Sequence, residues 1–467
     1  IGLFLSLMLM LRNRTFSVPI SVTAIALLAG FLIIEPRLAP RPEMFTFLFL
    51  TGILLVLDLY AEHRRNYLYL IPVIMLLWCN MHALFVLGLI VTATYFTGSW
   101  IQLKKPDITL LRWLIVSFLV CFVNPYGIHV FSLPMVLLTR FDPNNIFNQH
   151  IQEFLPFFRQ PRFVFRDWIF MTFTVTAALF TVFTWRKRKL HELILMALFA
   201  VLAYGSVRNI PLFVLITLPI ISREVVELKN RITFSHRPVS LIVFFLMILL
   251  PAVLIPRLIT NAYYIGNNSY IKTGMGIDSY HQPAEAAAFI VNHHLDGRIL
   301  NSIGFGGWLS WTLRQPVFID GRLEVMQEQL YSEITDSWHN GLPSLIARYK
   351  PQLIVYNYLI YYPWTLQLRE MTDWRLIYVD GQAAIFTCDP RLNYLPTVTI
   401  QPLHTNKRFN SRFPVLNWFQ GFFRQVDYAT IDLIHKSVFR LQLSTEKRTT
   451  SCLRNAVEYF NAANQKF

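Results

Sequence analysis

Charge is scarce in this sequence: 15% of its 467 residues are Asp, Glu, Lys or Arg, against about a quarter in an average soluble chain. That shortfall excludes a solvated globule over most of the length. Acidic residues are scarcest, 27 against 42 lysines and arginines, for a formal net charge of +15. Cysteine is rare as well. Cys79, Cys121, Cys388 and Cys452 stand isolated, two of them inside apolar runs. No zinc-type spacing exists and only Cys388 and Cys452 are candidates for a disulfide, so free thiols are expected and no metal site. No initiator methionine or signal-peptide pattern opens the chain. Ile1 already lies in an apolar run, 1–11, as expected of a fragment with sequence missing upstream.

What abounds is apolar residue, 54% of the chain. Bilayer-length runs recur before residue 260. They place candidate spans at 1–11 (partial), 16–34, 44–61, 67–79, 83–101, 109–124, 167–185, 189–206, 209–222 and 238–258. The stretch 68–96 would be roughly 43 Å of helix at 1.5 Å per residue. That is too long for one straight crossing of a ~30 Å hydrocarbon core and too short for two ordinary ones. Asn80 and His82 sit where a break would fall.

Charge decides for the break. With it, Arg64–Arg65, Lys104–Lys105–Arg112, Arg186–Lys187–Arg188–Lys189 and Arg223–Lys229–Arg231–Arg237 share one side, joined by Arg12 and Arg14. Without it, the first cluster opposes the others, against the positive-inside rule. The basic side is then the cytoplasm, and the net positive charge signals topology, with no nucleic-acid partner. "EPRLAPRPE" (35–43), "NMH" (80–82), "NPYG" (124–127), "SVRN" (206–209), the amphipathic 125–166 and everything after 260 fall on the outer side. In a bacterium this is the periplasmic face of the inner membrane.

Beyond about 277 the rhythm is α/β. "PAEAAAFIVNHH" (283–294) predicts a helix. "RILN" (298–301), "PVFID" (316–320), "QLIVYN" (352–357), "WRLIYV" (374–379) and "AAIFTC" (383–388) predict short buried strands in a small parallel or mixed sheet. The fold class is thus mainly α: a polytopic transmembrane bundle of about ten spans, one of them partial. A small extracytoplasmic α/β domain and a helical tail follow. The domains are 1–260, 261–390 and 391–467. The tail's end, "CLRNAVEYFNAANQKF", looks like the start of a tetratricopeptide repeat, a surface for protein partners, although such arrays need about three units.

Polar groups at membrane depth are costly unpaired and tend to be functional. Asn80 and His82 either cap freed backbone at the helix break or open a polar pocket with His82 as donor or general base. Asn124, Glu153 and Asn209 are supporting polar groups on the same side. Arg37, Arg41 and Arg208 lie where positive charge is normally scarce. Their guanidiniums either snorkel to lipid headgroups or hold a lipid-linked phosphate bidentately. Glu35 is the first outer carboxylate at a span end and a candidate base, with Glu153 and Asp167 as competitors. Ion pairs to Arg37 or Arg166 are the alternative role. In "SIGFGGWLSWTLRQPVFIDGRLEV" (302–325), Gly304, Gly306 and Gly307 suit a tight turn or a close backbone approach. They match no dinucleotide fingerprint. Trp308 and Trp311 share a helix face, for packing or for stacking on carbohydrate. Asp320 and Arg322 form an ion pair or a site.

The order Trp78-x-Asn80-x-His82, Asn-Pro-Tyr-Gly (124–127), Ile-x-Glu-Phe (151–154), Arg208-Asn209-x-Pro211 and Gly-Gly-Trp-Leu…Phe-Ile-Asp-Gly-Arg (306–322) is similar to a group of bacterial polytopic membrane proteins resembling the GT-C superfamily of glycosyltransferases. The resemblance covers about residues 30 to 390. It implies a helical bundle, a polyprenyl-phosphate-linked sugar as donor substrate, and a site at the outer face. The catalytic acid that such proteins carry in a first outer loop has no counterpart here, which leaves Glu35 as the substitute. Sugar transfer to a periplasmic acceptor, with Arg37, Arg41 and Arg208 on the phosphate and Glu35 or His82 as base, is the leading expectation. A non-catalytic scaffold for envelope assembly, acting through the α/β domain and the tail, is the alternative from another class.

Overall fold

The computed structural model describes residues 20–38, 41–62, 65–132, 134–135, 145–160, 163–185, 188–231, 245, 249, 252–260, 262–263, 282–322, 326–358, 360–380 and 382–398. The expected spans 1–11 and most of 238–258, and the expected tail, lie outside these residues. The chain divides into two compact units, one of residues 1–259 and 263–271 and the other of 260–262 and 272–467.

The first unit is built of α1 (Ile20–Ile34), α2 (Glu43–Ala61), α3 (Leu70–Cys79), α4 (Val86–Leu103), α5 (Ile108–Val120), the short α6 (Ile146–His150), α7 (Phe165–Thr184), α8 (Leu190–Gly205) and α9 (Ile210–Arg231). Four stretches are long and apolar enough to cross a membrane: Glu43–Ala61, Ala83–Leu103, Phe165–Thr184 and Val207–Val226. Leu70–Cys79, Ile108–Val120 and Leu190–Gly205 are apolar but shorter.

The run 68–96 reverses direction. Along α3, Ile74 packs over Gly52 and the Trp78 indole reaches Thr46, so α3 runs antiparallel to α2. Along α4, Gly88 lies against Ile53, and Tyr95 donates to Asp58 Oδ1 at 2.6 Å, so α4 runs parallel to it. The remaining helices alternate. At one end Tyr60 donates to Asp107 (2.7 Å), Lys189 pairs with Glu62, and Gln102 donates to Arg188 O (3.4 Å). At the other, Asn80 donates to Val123 O (3.0 Å) and Ser206 to Glu153 O (3.0 Å). Arg65, Lys104, Lys105, Arg188, Lys189 and Arg223 therefore gather at the first, basic end. Residues 35–38, 41–43, 80–85, 121–131, 151–160, 163–164 and 205–210 gather at the second, the loop end.

Burial of Ile34, Phe47, Leu50, Trp78, Phe85, Val91, Phe199 and Val214 forms one continuous core. Inside it near the basic end, Arg223 pairs with the buried Glu192 at 2.8 Å, and the Tyr95 ring stacks on His191 at 4.0 Å. Gly98 makes that crossing possible, because a Cβ there would lie 2.7 Å from His191 N.

The second unit is a three-layer α/β/α arrangement. Its elements are α10 (Ala284–Asn292), β1 (Ile299–Asn301), α11 (Ile303–Leu313), α12 (Glu328–Asp336), α13 (Leu342–Tyr349), β2 (Leu353–Asn357), α14 (Tyr362–Glu370), β3 (Arg375–Val379) and β4 (Ala383–Thr387). The sheet order is β1-β2-β4-β3. Ile299 faces Leu353 in parallel, and β4 pairs antiparallel with both β2 and β3. Asp380 closes the β3–β4 hairpin by accepting from Gln382 N (2.8 Å) and Ala383 N (2.7 Å). One sheet face packs Leu353, Val355 and Ile385 against Ala286, Ile290, Phe305 and Leu309. The other sets Tyr356 against the buried Trp364.

Four of the five expected strands form. The fifth, 316–320, does not, because the carboxamide of buried Asn301 takes the groups a neighbouring strand would use. It donates to Ile319 O (2.7 Å) and accepts from Phe318 N (3.0 Å). The glycines of 304–307 are not a turn either. They lie on α11, where Gly306 serves a close approach, as a Cβ there would lie 1.9 Å from Ile319 O. Gly306→Ala is expected to cost about 1–3 kcal/mol or more through overpacking against backbone. Gly307→Ala, which meets open space, should leave stability unchanged or slightly raised, and thermal unfolding of the two variants checks the contrast.

Candidate functional site

The loop end is assembled around Arg37, in the 3-10 turn Glu35–Arg37 that ends α1. Pro36 and Pro42 bar a straight continuation into α2, and the turn carries the guanidinium back between two carboxylates, Glu43 and Glu153. Arg37 and Glu43 are nearly buried, with side-chain exposures of 14% and 5%. Arg41 Nη1 reaches the same Glu153 carboxylate at 3.2 Å and is half exposed. The Arg208 guanidinium lies 4.9 Å over the Phe154 ring. Among the described residues it forms no ion pair.

Two backbone links fix Glu153 against the 205–210 turn: Ser206 Oγ donates to Glu153 O (3.0 Å) and Val207 N to Leu155 O (3.1 Å). Burial pushes the Glu153 carboxyl up, but the guanidiniums of Arg37, Arg208 and Arg41 outweigh it and hold it below the ordinary value. Glu35 behaves oppositely. It is buried and does not pair with Arg37. Burial raises its pKa, opposed in part by Arg166. The competing carboxylate Asp167 accepts from Val164 N (2.8 Å) and so caps the start of α7.

The break at 80–82 has a mixed character. Asn80 Nδ2 donates to Leu76 O (2.8 Å) and Val123 O (3.0 Å), tying the end of α3 to the end of α5. Asn124 donates to Cys121 O (2.6 Å) and accepts from Tyr126 N (2.7 Å). Asn209 donates to Leu202 O at 3.1 Å. All three asparagines thus satisfy carbonyls that a helix end leaves unmet. His82 is different. Its Nδ1 lies 2.8 Å from Thr46 Oγ1, which also receives Trp78 Nε1–H at 3.0 Å.

Glu43 and Thr46 carry no role in the sequence reading, yet both are central here. Their signal is a lone carboxylate and a lone hydroxyl three apart at the start of an apolar helix, hence on one face.

The residues singled out in the second unit do not converge on a site of this kind. Trp308 packs partly on the core whereas Trp311 is 80% exposed. Asp320 and Arg322 form a local pair at 2.6 Å, and Asp320 also accepts from Arg322 N (2.9 Å). No group of three or more His, Cys, Asp or Glu among the described residues is arranged to hold a metal ion. Comparison with protein-family models, with curated proteins and with solved structures returns no match.

Removing Arg37 would leave the buried Glu43 carboxylate without its cation and take one of two ion-pair partners from Glu153, a cost of about 3–5 kcal/mol. Arg37→Ala should therefore lower the yield of folded protein and its unfolding temperature, while Arg41→Ala, at an exposed pair worth at most about 1 kcal/mol, should barely change either. The pH dependence has a definite sign. A folded-state pKa held below the unfolded value near 4.5 means Glu153 stabilises above that value and the contribution is lost as pH falls through the lower one. Glu35, shifted upward, works the other way on the same titration. Glu153→Gln should be less stable at neutral pH and show a flatter acid limb in thermal unfolding.

Proposed function

We propose that the chain is a polytopic protein of the bacterial inner membrane, with about ten spans, whose loop end and α/β unit face the periplasm. Its loop end takes a polyprenyl-phosphate-linked sugar and transfers the sugar to a periplasmic acceptor. One observation carries this reading: arginines and carboxylates from three distant loops meet at the end opposite the basic clusters. Arg37 pairs with Glu43 and Glu153, Arg41 with Glu153, and Arg208 lies over Phe154, its charge felt by the same Glu153 carboxylate. Arg41 and Arg208, outside the buried Arg37 pair, suit a phosphate, for which a planar guanidinium offers two parallel donors.

The roles divide within the cluster. Arg37 is committed to its two carboxylates and holds the frame. Arg41 and Arg208 are the phosphate ligands. Glu35, buried and shifted upward, is the group suited to take the acceptor's proton, since burial makes a carboxylate a stronger base. The second reading, a non-catalytic envelope scaffold, is favoured by the three asparagines, whose carboxamides are spent on backbone carbonyls.

Native mass spectrometry of the detergent-purified protein with polyprenyl phosphate separates the two. The wild type should retain the lipid, and Arg41→Ala and Arg208→Ala should each weaken retention about ten- to a hundredfold, the worth of a charged hydrogen bond. Absence of retention under conditions that preserve phospholipid adducts would move the assignment to the scaffold. Orientation has its own check. A cysteine placed at Met81 should be labelled by a membrane-impermeant thiol reagent in spheroplasts, and one at Lys104 should not. The reverse pattern would invert the topology.

A further inference from the structure

We propose that Thr46 fixes His82 as its Nε2–H tautomer, so that the imidazole at the loop end is a hydrogen-bond donor and not a proton-accepting base. This deepens the transfer reading above by leaving Glu35 as its base; the tautomer itself does not depend on that reading.

The argument is one of donors and acceptors. A neutral imidazole has one nitrogen that donates and one that accepts. His82 adopts an extended backbone and caps the 3-10 turn Ala83–Phe85, its Nδ1 accepting from the Leu84 backbone N–H at 3.4 Å. A backbone N–H can only donate, so Nδ1 carries a lone pair. Thr46 Oγ1 gives the same answer from the other side. It is fully buried and already accepts from the Trp78 indole N–H, another group that can only donate. Its own proton is left to point at Nδ1, 2.8 Å away. The hydroxyls of Thr51, Thr92 and Thr94 instead bond carbonyls of their own helices, at 2.8–3.0 Å. With Nδ1 occupied twice as an acceptor, the ring proton resides on Nε2.

Thr46 is therefore a positioning residue, and the spacing of Trp78, Asn80 and His82 acquires a physical sense. Trp78 and His82 meet on one hydroxyl of the neighbouring helix, while Asn80 between them closes the end of α3. A donor held this way keeps its orientation without reorganisation, which is what stabilising an oxyanion requires. A proton-accepting role would need the opposite tautomer and would break the bonds from Leu84 and Thr46.

The test is nitrogen NMR of the full chain with 15N-labelled histidine rings in lipid nanodiscs, the His82 signals being those that vanish in His82→Gln. The expected spectrum has Nε2 protonated and Nδ1 unprotonated. Thr46→Val, which keeps the shape and removes the hydroxyl, should shift the pair toward a mixture of tautomers, and Thr46→Ser should restore the wild-type pattern. Protonation at Nδ1 in the wild type, or a Thr46→Val spectrum identical to the wild type, would overturn the proposal. Should Thr46→Val fail to fold, the wild-type spectrum and Thr46→Ser still decide it. Failure of the phosphate reading shows separately, as absent lipid retention with the expected His82 spectrum intact.

Discussion

Backbone carbonyls at helix ends have no partner within the helix, and in an apolar bundle water is a poor substitute. The loop end is organised around that constraint. α3, α5 and α8 each end on an asparagine or lie one turn before one, and Asn80, Asn124 and Asn209 return a carboxamide proton to Leu76, Cys121 and Leu202. Asn80 serves two helices at once through Val123. These caps let three helices stop and reverse within a few residues. The reversals in turn bring 35–38, 41–43, 80–85, 151–160 and 205–210 into one neighbourhood.

Within that neighbourhood, ion pairing commits the arginines unequally. Arg37 is so enclosed by Glu43 and Glu153 that its charge is already answered, and its loss would be felt as instability. Arg41 and Arg208 retain the freedom that Arg37 lacks, one exposed beside Glu153 and the other over an aromatic face. The basic end is arranged differently. There Glu192 and Arg223 lie inside the core, and lysines and arginines beyond them mark the bundle's rim.

The sequence makes much of this legible, and the limits are instructive. The reversal at 80–82 follows from charge bookkeeping over four clusters, because a topology rule acts on the whole chain at once. Strands β1 to β4 are short apolar runs and announce themselves. The strand at 316–320 fails for a reason no run of residues displays, a side-chain amide eighteen positions earlier that takes its place. The partner of Arg37 is likewise hidden. Glu35 is the obvious neighbour, but one of the carboxylates that binds it lies 116 positions away and the other is the first residue of the next helix. Thr46 is harder still, since a threonine in an apolar helix ordinarily bonds its own backbone. Only the fold brings Trp78 and His82 onto it.

After β4 the chain doubles back along its own sheet. Val398 N donates to Leu376 O at 2.8 Å, and Arg375 reaches across to Leu395 O at 3.5 Å. At this point the outer edge of β3 offers no open ladder. An invading strand, whether from a second copy or from an unfolded neighbour, would have to peel residues 395–398 away before it could pair. This short return of the chain is thus also a guard against edge-to-edge aggregation.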